Sequence, residues 1–211
     1  MPRFHGDKTH HKPTESESIF EGFLKQCRLQ FERIPTSGAP RPDYYVTIGA
    51  SMMVFEIKEL STDSNFSTDP KRTSTRILGQ HIRVKVKEAS KQIRFGAYQG
   101  LPSVLVLFNK FDPANGWALE EDDFRAAMYG ERTLALDPVS GNIVDSFEGR
   151  NESFTGKKRT HFSALARLLR RGEQAKLTLF DNVFATTPVD YNSLPECLEV
   201  VRFEIVTPRA A

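Results

Sequence analysis

The sequence predicts an α/β fold in which a helix, three strands, a second helix and a fourth strand follow one another. Apolar residues recur at helical spacing near residue 20, polar and apolar residues alternate between residues 29 and 60, and residues 103–108 form a continuous apolar run. With 211 residues, 39% hydrophobic and 27% charged, the chain suits one globular core. We therefore expect a mixed central sheet flanked by helices, with a β-rich C-terminal extension.

The first residues predict a flexible arm followed by a helix. Residues 1–14 are polar, contain two prolines and lack apolar periodicity, as in mobile segments. From Ser16 onward, Phe20, Phe23, Leu24 and Cys27 recur at helical spacing, after a Ser/Glu-rich start that can cap a helix. The helix is therefore expected to begin near Ser16.

Three strands, a helix and a fourth strand follow. Residues 29–34 precede a turn-rich stretch, and residues 44–48 and 52–60 flank Gly49 as a β-hairpin. Residues 61–75 have the composition of a loop, and residues 76–97 carry apolar side chains near helical spacing. The apolar run at 103–108 is typical of a strand that is covered on both faces.

The C-terminal half is expected to extend the same domain. A helix is predicted at 117–128, a strand pair at 133–137 and 142–147, and two further strands at 162–169 and 177–184. We divide the chain into an arm (1–14), a core (15–110) and an extension (111–211).

Composition and missing signals exclude several classes of protein. No apolar run is long enough to span a membrane, and the N-terminus lacks a secretion signal, so we expect a cytoplasmic protein. Cys27 and Cys197 lack metal-binding spacing and are interpreted as packing residues rather than a disulfide. No glycine-rich nucleotide loop is present. Three histidines in the arm are rejected as metal ligands because no rigid scaffold fixes them: His5, His10 and His11.

The strongest candidate site combines Asp43 at a strand start with Glu56 and Lys58 on the next strand. Alternation along a strand places Glu56 and Lys58 on one face, with Phe55 and Ile57 facing a core on the other. We expect the charges to meet at one edge of the sheet. Two carboxylates are oxygen ligands suited to Mg²⁺, and a lysine can stabilise negative charge that develops on a phosphate.

These residues resemble the motif of the PD-(D/E)XK nuclease superfamily, which has a restriction-endonuclease-like fold. Pro42-Asp43 and Glu56-Ile57-Lys58 match the motif, and the element order α-β-β-β-α-β matches over about residues 16–109. The resemblance implies that Asp43 and Glu56 bind Mg²⁺, with Mn²⁺ as a substitute, and that Lys58 assists hydrolysis. It also implies roles for Glu21 on the first helix, which Glu17 could replace, and for Gln92 on the second.

The second helix is strongly basic. From Lys71 to Arg94 there are eight Lys or Arg residues and one acid, Glu88. We predict that five of them track a phosphate backbone, although a solvated helix face is an equal interpretation: Arg83, Lys85, Lys87, Lys91 and Arg94. For a second basic stretch at 157–159, a solvated loop is the favoured interpretation.

The leading hypothesis is a metal-dependent endonuclease or exonuclease that hydrolyses phosphodiester bonds, in DNA rather than RNA. A homodimer is an option, because a two-fold dimer can cut both strands of a duplex. Two alternatives remain open: a catalytically inactive nuclease-like module that binds nucleic acid, and a protein-interaction module.

Overall fold

The computed structural model describes residues 12–35, 38–60 and 76–205. Most of the predicted arm and all of the predicted loop at 61–75 lie outside the described residues. The described elements are, in chain order, α1 (Glu15–Gln26), β1 (Gln30–Arg33), β2 (Tyr44–Ile48), β3 (Ser51–Leu60), α2 (Gln80–Tyr98), β4 (Ser103–Asn109), α3 (Glu121–Tyr129), β5 (Arg132–Leu136), β6 (Ile143–Glu148), β7 (Ala164–Arg171), β8 (Gln174–Asp181), a 3₁₀ helix (Tyr191–Ser193) and β9 (Leu198–Val201).

A mixed seven-stranded sheet organises the protein, with strand order β1-β2-β3-β4-β7-β8-β9. Strand β2 is antiparallel to both β1 and β3, whereas β3, β4 and β7 run parallel. Strand β8 is antiparallel to β7, and β9 is parallel to β8. Strands β5 and β6 form a separate hairpin. The α/β class and the mixed sheet are therefore confirmed, and the C-terminal half does extend the sheet.

Helices cover both faces of the sheet. Helix α1 packs Phe20, Phe23 and Leu24 on one face, in a core that includes alternate residues of six strands. Helices α2 and α3 pack on the other face against Leu105, Leu107 and neighbouring apolar side chains. Two separate hydrophobic cores result, one on each side of the sheet, as alternation of side chains along the strands requires.

Two glycines allow α2 to approach its neighbours closely. A Cβ atom built on Gly96 would lie 2.2 Å from Val54 Cγ2 of β3, and one on Gly79 would lie 2.6 Å from the backbone oxygen of Asp123 in α3. Gly79 also has a left-handed φ of 69°, which costs glycine little. These contacts fix α2 over β3, the strand that carries Glu56 and Lys58.

Most predicted elements are confirmed within a few residues, and two sequence interpretations are wrong. Strand β3 is the third of seven strands, so its charged residues lie inside the sheet rather than at its edge. Cys27 and Cys197 form a disulfide with their Cα atoms 6.1 Å apart, rather than packing as free thiols. Strand β9, which follows this disulfide, was not predicted. None of the helices in the described ranges is long and apolar enough to cross a membrane.

Candidate active site

Asp43 lies immediately before β2 and is attached to β3. The backbone N–H of Asp43 donates to the carbonyl of Phe55 at 3.0 Å. Its carboxylate Oδ2 accepts a hydrogen bond from the backbone N–H of Ile57 at 2.7 Å. Tyr44 and Phe55 form the last residue pair of the β2–β3 ladder. The Asp43 side chain thus accepts a hydrogen bond from a β3 N–H that lies beyond this pair. This bond orients the Asp43 carboxylate at the position of Glu56 and Lys58.

Glu56 and Lys58 lie on the α2 side of β3. They pair in register with Leu105 and Leu107 of β4, whose side chains belong to the α2 core. Glu56 is 2% exposed, and its Oε1 accepts a hydrogen bond from Lys58 Nζ at 2.7 Å. The other carboxylate oxygen, Oε2, is buried and has no hydrogen-bond donor among the described residues. A buried polar atom without a partner is rare and carries a free-energy penalty.

The two carboxyl groups affect each other's ionisation. Burial and the negative charge of Asp43 together raise the pKa of Glu56 to about 8, against the opposing effect of Lys58. Burial also raises the pKa of Asp43, although its hydrogen bond from Ile57 acts in the opposite direction. Like charges in a poorly solvated site resist simultaneous ionisation. A cation that binds both groups would therefore favour the doubly ionised form.

Lys58 remains a cation in this setting. Burial lowers the pKa of Lys58, but the charge of Glu56 and their hydrogen bond outweigh it, so the pKa lies above its usual value. Asp43 and Glu88 of α2 raise this pKa further. The sequence interpretation missed a role for Glu88. Its signal was its position as the single acid in the basic stretch from Lys71 to Arg94.

Helix α1 carries two acids, Glu17 and Glu21, that interact with different groups. Glu21, the predicted outer acid, accepts hydrogen bonds from Arg33 Nε at 2.5 Å and from the Tyr44 hydroxyl at 3.1 Å. Glu17 lies one turn earlier, and its charge raises the pKa of Asp43. The charge of Glu17 therefore acts on Asp43, while its carboxylate caps α1 by accepting a hydrogen bond from the Thr14 backbone N–H at 2.6 Å.

Gln92 is half-buried on the flank of α2 that faces β3. It lies four residues after Glu88, which interacts with Lys58, and three residues before Phe95, whose ring contacts the Arg41 guanidinium at 5.4 Å. Residues three and four apart share a helix face. Gln92 is thus on the same side of α2 as the site, although no contact with Asp43, Glu56 or Lys58 is present.

The five predicted nucleic-acid-binding residues do not share one surface. Arg83 donates to the Ala126 carbonyl at 3.2 Å and lies 3.9 Å from Glu131. Lys85 forms an ion pair with Glu88 at 2.9 Å. The remaining three residues are exposed on the outer side of the helix: Lys87, Lys91 and Arg94.

The donor set fits a hard cation in part. Asp43 and Glu56 offer carboxylate oxygens, and Glu56 Oε2 is a buried oxygen that needs a partner. No group of three or more His, Cys, Asp or Glu side chains is placed to hold a metal ion within residues 12–35, 38–60 and 76–205. Mg²⁺ keeps several waters and often binds through only one or two carboxylates, so this pair matches its needs.

No protein-family model, no curated protein and no solved structure matches the chain.

Proposed function

We propose that this protein is a metal-dependent nuclease of the PD-(D/E)XK type, with a restriction-endonuclease-like core, that hydrolyses phosphodiester bonds in DNA. The main observation in support is the Asp43–Glu56 carboxyl pair, in which Glu56 is buried and Asp43 half-buried, with Lys58 bonded to Glu56 at 2.7 Å. The unpartnered Glu56 Oε2 and the raised pKa of Glu56, about 8, are the second support. Perturbed carboxyl groups of this kind are common in active sites.

Asp43 and Glu56 would hold Mg²⁺, or Mn²⁺ in its place. The bound ion would supply an activated water and neutralise charge on the phosphate. The carboxylates are held in place before any ion binds, because Asp43 is fixed by the Ile57 N–H and Glu56 by the surrounding core. Such preorganisation reduces the reorganisation that reaction would otherwise require.

Lys58 would act on the substrate side of the pair. Its side chain is 26% exposed, whereas that of Glu56 is 2% exposed, so the ammonium group can reach solvent and a bound phosphate. Its raised pKa keeps it protonated at neutral pH. A fixed ammonium group stabilises negative charge that develops on phosphate oxygens. Glu88, whose carboxylate bonds Lys85 at 2.9 Å, adds negative charge that favours the protonated form of Lys58.

The test compares Lys58→Ala with Lys176→Ala. Lys176 is a matched control, because this strand lysine also bonds a glutamate, Glu199, at 2.7 Å but lies outside the site. Both variants and the parent protein are incubated with linear, supercoiled and single-stranded DNA in Mg²⁺, Mn²⁺ or EDTA. We expect metal-dependent cleavage by the parent and by Lys176→Ala, and a loss of roughly 10²-fold or more for Lys58→Ala.

Two results would contradict the proposal. Equal cleavage by Lys58→Ala and the parent would remove Lys58 from the mechanism. No cleavage of any DNA by the folded parent in either metal would reject DNA hydrolysis. A parallel assay on RNA distinguishes a different nucleic acid substrate from an inactive, nuclease-like protein.

A further inference from the structure

Two basic segments that are distant in sequence meet on the outer side of α2. Ser90 Oγ of α2 lies 3.0 Å from His161 Nε2, within hydrogen-bonding distance. Arg159, two residues before His161, donates to the Ser153 carbonyl at 3.2 Å. The segment at 153–161 is therefore attached to the helix and structured by its own contacts. Lys157 and Lys158 are exposed, as the interpretation of a solvated loop expects, whereas Arg159 is half-buried.

The cations at this junction repel one another. Burial lowers the pKa of Arg159, and the charge of Arg94 lowers it further. Burial and the positive charges of Arg94 and Arg159 together lower the pKa of His161 to about 4. No carboxylate within the described ranges contributes to either pKa. By contrast, Arg83 and Lys85 of the same helix have acid partners.

An uncompensated pair of arginines is unfavourable unless an anion joins it. Arg159 is half-buried, and its backbone has a left-handed φ of 54°, a conformation that is uncommon for residues other than glycine. Its position is thus held by the fold and not by attraction to an acid. A bound phosphate would offset the repulsion and could accept the remaining N–H groups of both arginines.

The junction continues along α2 as a line of exposed cations. Lys87, Lys91 and Arg94 are spaced by four and three residues, so they lie on one stripe of the helix. The stripe extends about 10 Å at 1.5 Å per residue. Consecutive phosphates of one duplex strand advance about 3.4 Å along the axis, so the stripe matches several phosphates rather than one.

We propose that Lys87, Lys91, Arg94 and Arg159 form one surface, the basic patch, that binds the phosphodiester backbone of nucleic acid. The proposal rests on the proposed function, because it concerns the substrate of the same protein. Lys87 and Arg94 lie on the flank of α2 away from Lys85, which pairs with Glu88, whereas Lys91 lies three residues after Glu88, between the two flanks. A substrate that reaches both the basic patch and Lys58 must cross the helix, which is about 10 Å wide.

The test measures salt dependence of binding in EDTA, where cleavage cannot occur. Arg94→Gln/Arg159→Gln is compared with Lys25→Gln/Arg28→Gln, which makes the same charge change on exposed residues at the end of α1, on the other face of the sheet. Fluorescence anisotropy with labelled duplex and single-stranded DNA follows affinity between about 50 and 200 mM salt.

Loss of two phosphate contacts should change the slope of log K against log salt by about 1.8 for duplex DNA, with roughly 60-fold weaker binding at about 100 mM salt. The α1 control should retain the slope of the parent. Arg94→Lys/Arg159→Lys should restore most of the slope, because charge is retained. If Arg159→Gln prevents folding, the exposed single variant Arg94→Gln should still reduce the slope by about 0.9.

An unchanged slope in the folded Arg94→Gln/Arg159→Gln protein would overturn the basic patch, as would equal losses in both double variants. Absence of binding by the parent at low salt would also overturn it. These outcomes are distinct from failure of the nuclease proposal. Cleavage by the parent with an unchanged slope rejects the patch alone, whereas a reduced slope without any cleavage supports the patch and rejects the nuclease.

Discussion

Replacement of Glu56 by Gln should stabilise the metal-free protein at alkaline pH. The pKa of Glu56 is about 8 in the folded protein, compared with the ordinary value of 4.5. Between these values the folded state binds more protons than the unfolded state, so the free energy of unfolding falls as pH rises. The contribution of the protonated Glu56 carboxyl group to the free energy of unfolding is fully present below about pH 4.5 and is lost as pH rises past 8. Gln resembles the protonated carboxyl group and cannot ionise.

The structure sets an upper limit on this effect. The two pKa values differ by about 3.5 pH units, which corresponds to about 5 kcal/mol. Relaxation of the site and entry of water reduce the penalty of a buried charge. We therefore expect the Glu56→Gln protein to gain on the order of 2 kcal/mol relative to the parent between pH 5.5 and 8.5.

Urea unfolding in EDTA across this pH range measures the difference. Glu199→Gln is the control. The pKa of Glu199 is lowered, chiefly by its hydrogen bond with Lys176, so this substitution should leave the fall in the free energy of unfolding at alkaline pH unchanged. Added Mg²⁺ should raise the Tm of the parent at pH 8 more than that of Glu56→Gln, since ion binding favours the ionised carboxylate. Parallel pH profiles for the parent and Glu56→Gln would refute a buried, proton-binding Glu56.

Two further predictions concern the scaffold that holds the site. Gly96→Ala should lower the free energy of unfolding by about 1–3 kcal/mol, because the new Cβ would lie 2.2 Å from Val54 Cγ2. Gly22→Ala in α1 is the control. Its Cβ would meet nothing within 4 Å, so this substitution should raise the free energy of unfolding by up to about 1 kcal/mol. Chemical denaturation compares both, and equal effects would contradict close packing of α2 on β3. Reduction of the Cys27–Cys197 disulfide, which spans 170 residues, should destabilise by at most about 5 kcal/mol through loop entropy. A parent Tm that does not respond to reductant would count against the disulfide.

Local patterns were sufficient to predict much of the site. Glu56 and Lys58 are two residues apart on one strand, so strand alternation alone places them on one face. Asp43 joins them because a short hairpin returns the chain beside its own preceding strand, and the register of that hairpin pairs Tyr44 with Phe55. The order of the helices and strands followed from periodicity and turn residues for the same reason. Each of these features depends on neighbours in sequence.

Long-range contacts decided the rest, because they depend on which distant segments meet. Pairing of β3 with β4 placed β3 in the interior and so buried Glu56, which no strand pattern specified. Packing of α1 directed Glu21 to Arg33 and left Glu17 near Asp43. The contact between Ser90 and His161 brought helix α2 and the segment at 153–161 together.

The sequence by itself determined the elements, the hairpin and the three charged residues that it brings together. Only the tertiary structure decided how deeply those charges are buried, and therefore their ionisation, because desolvation depends on every segment that packs around a group. It also decided that Cys27 and Cys197 meet across 170 residues. Loop closure over such a distance is set by the whole fold, which no local spacing encodes.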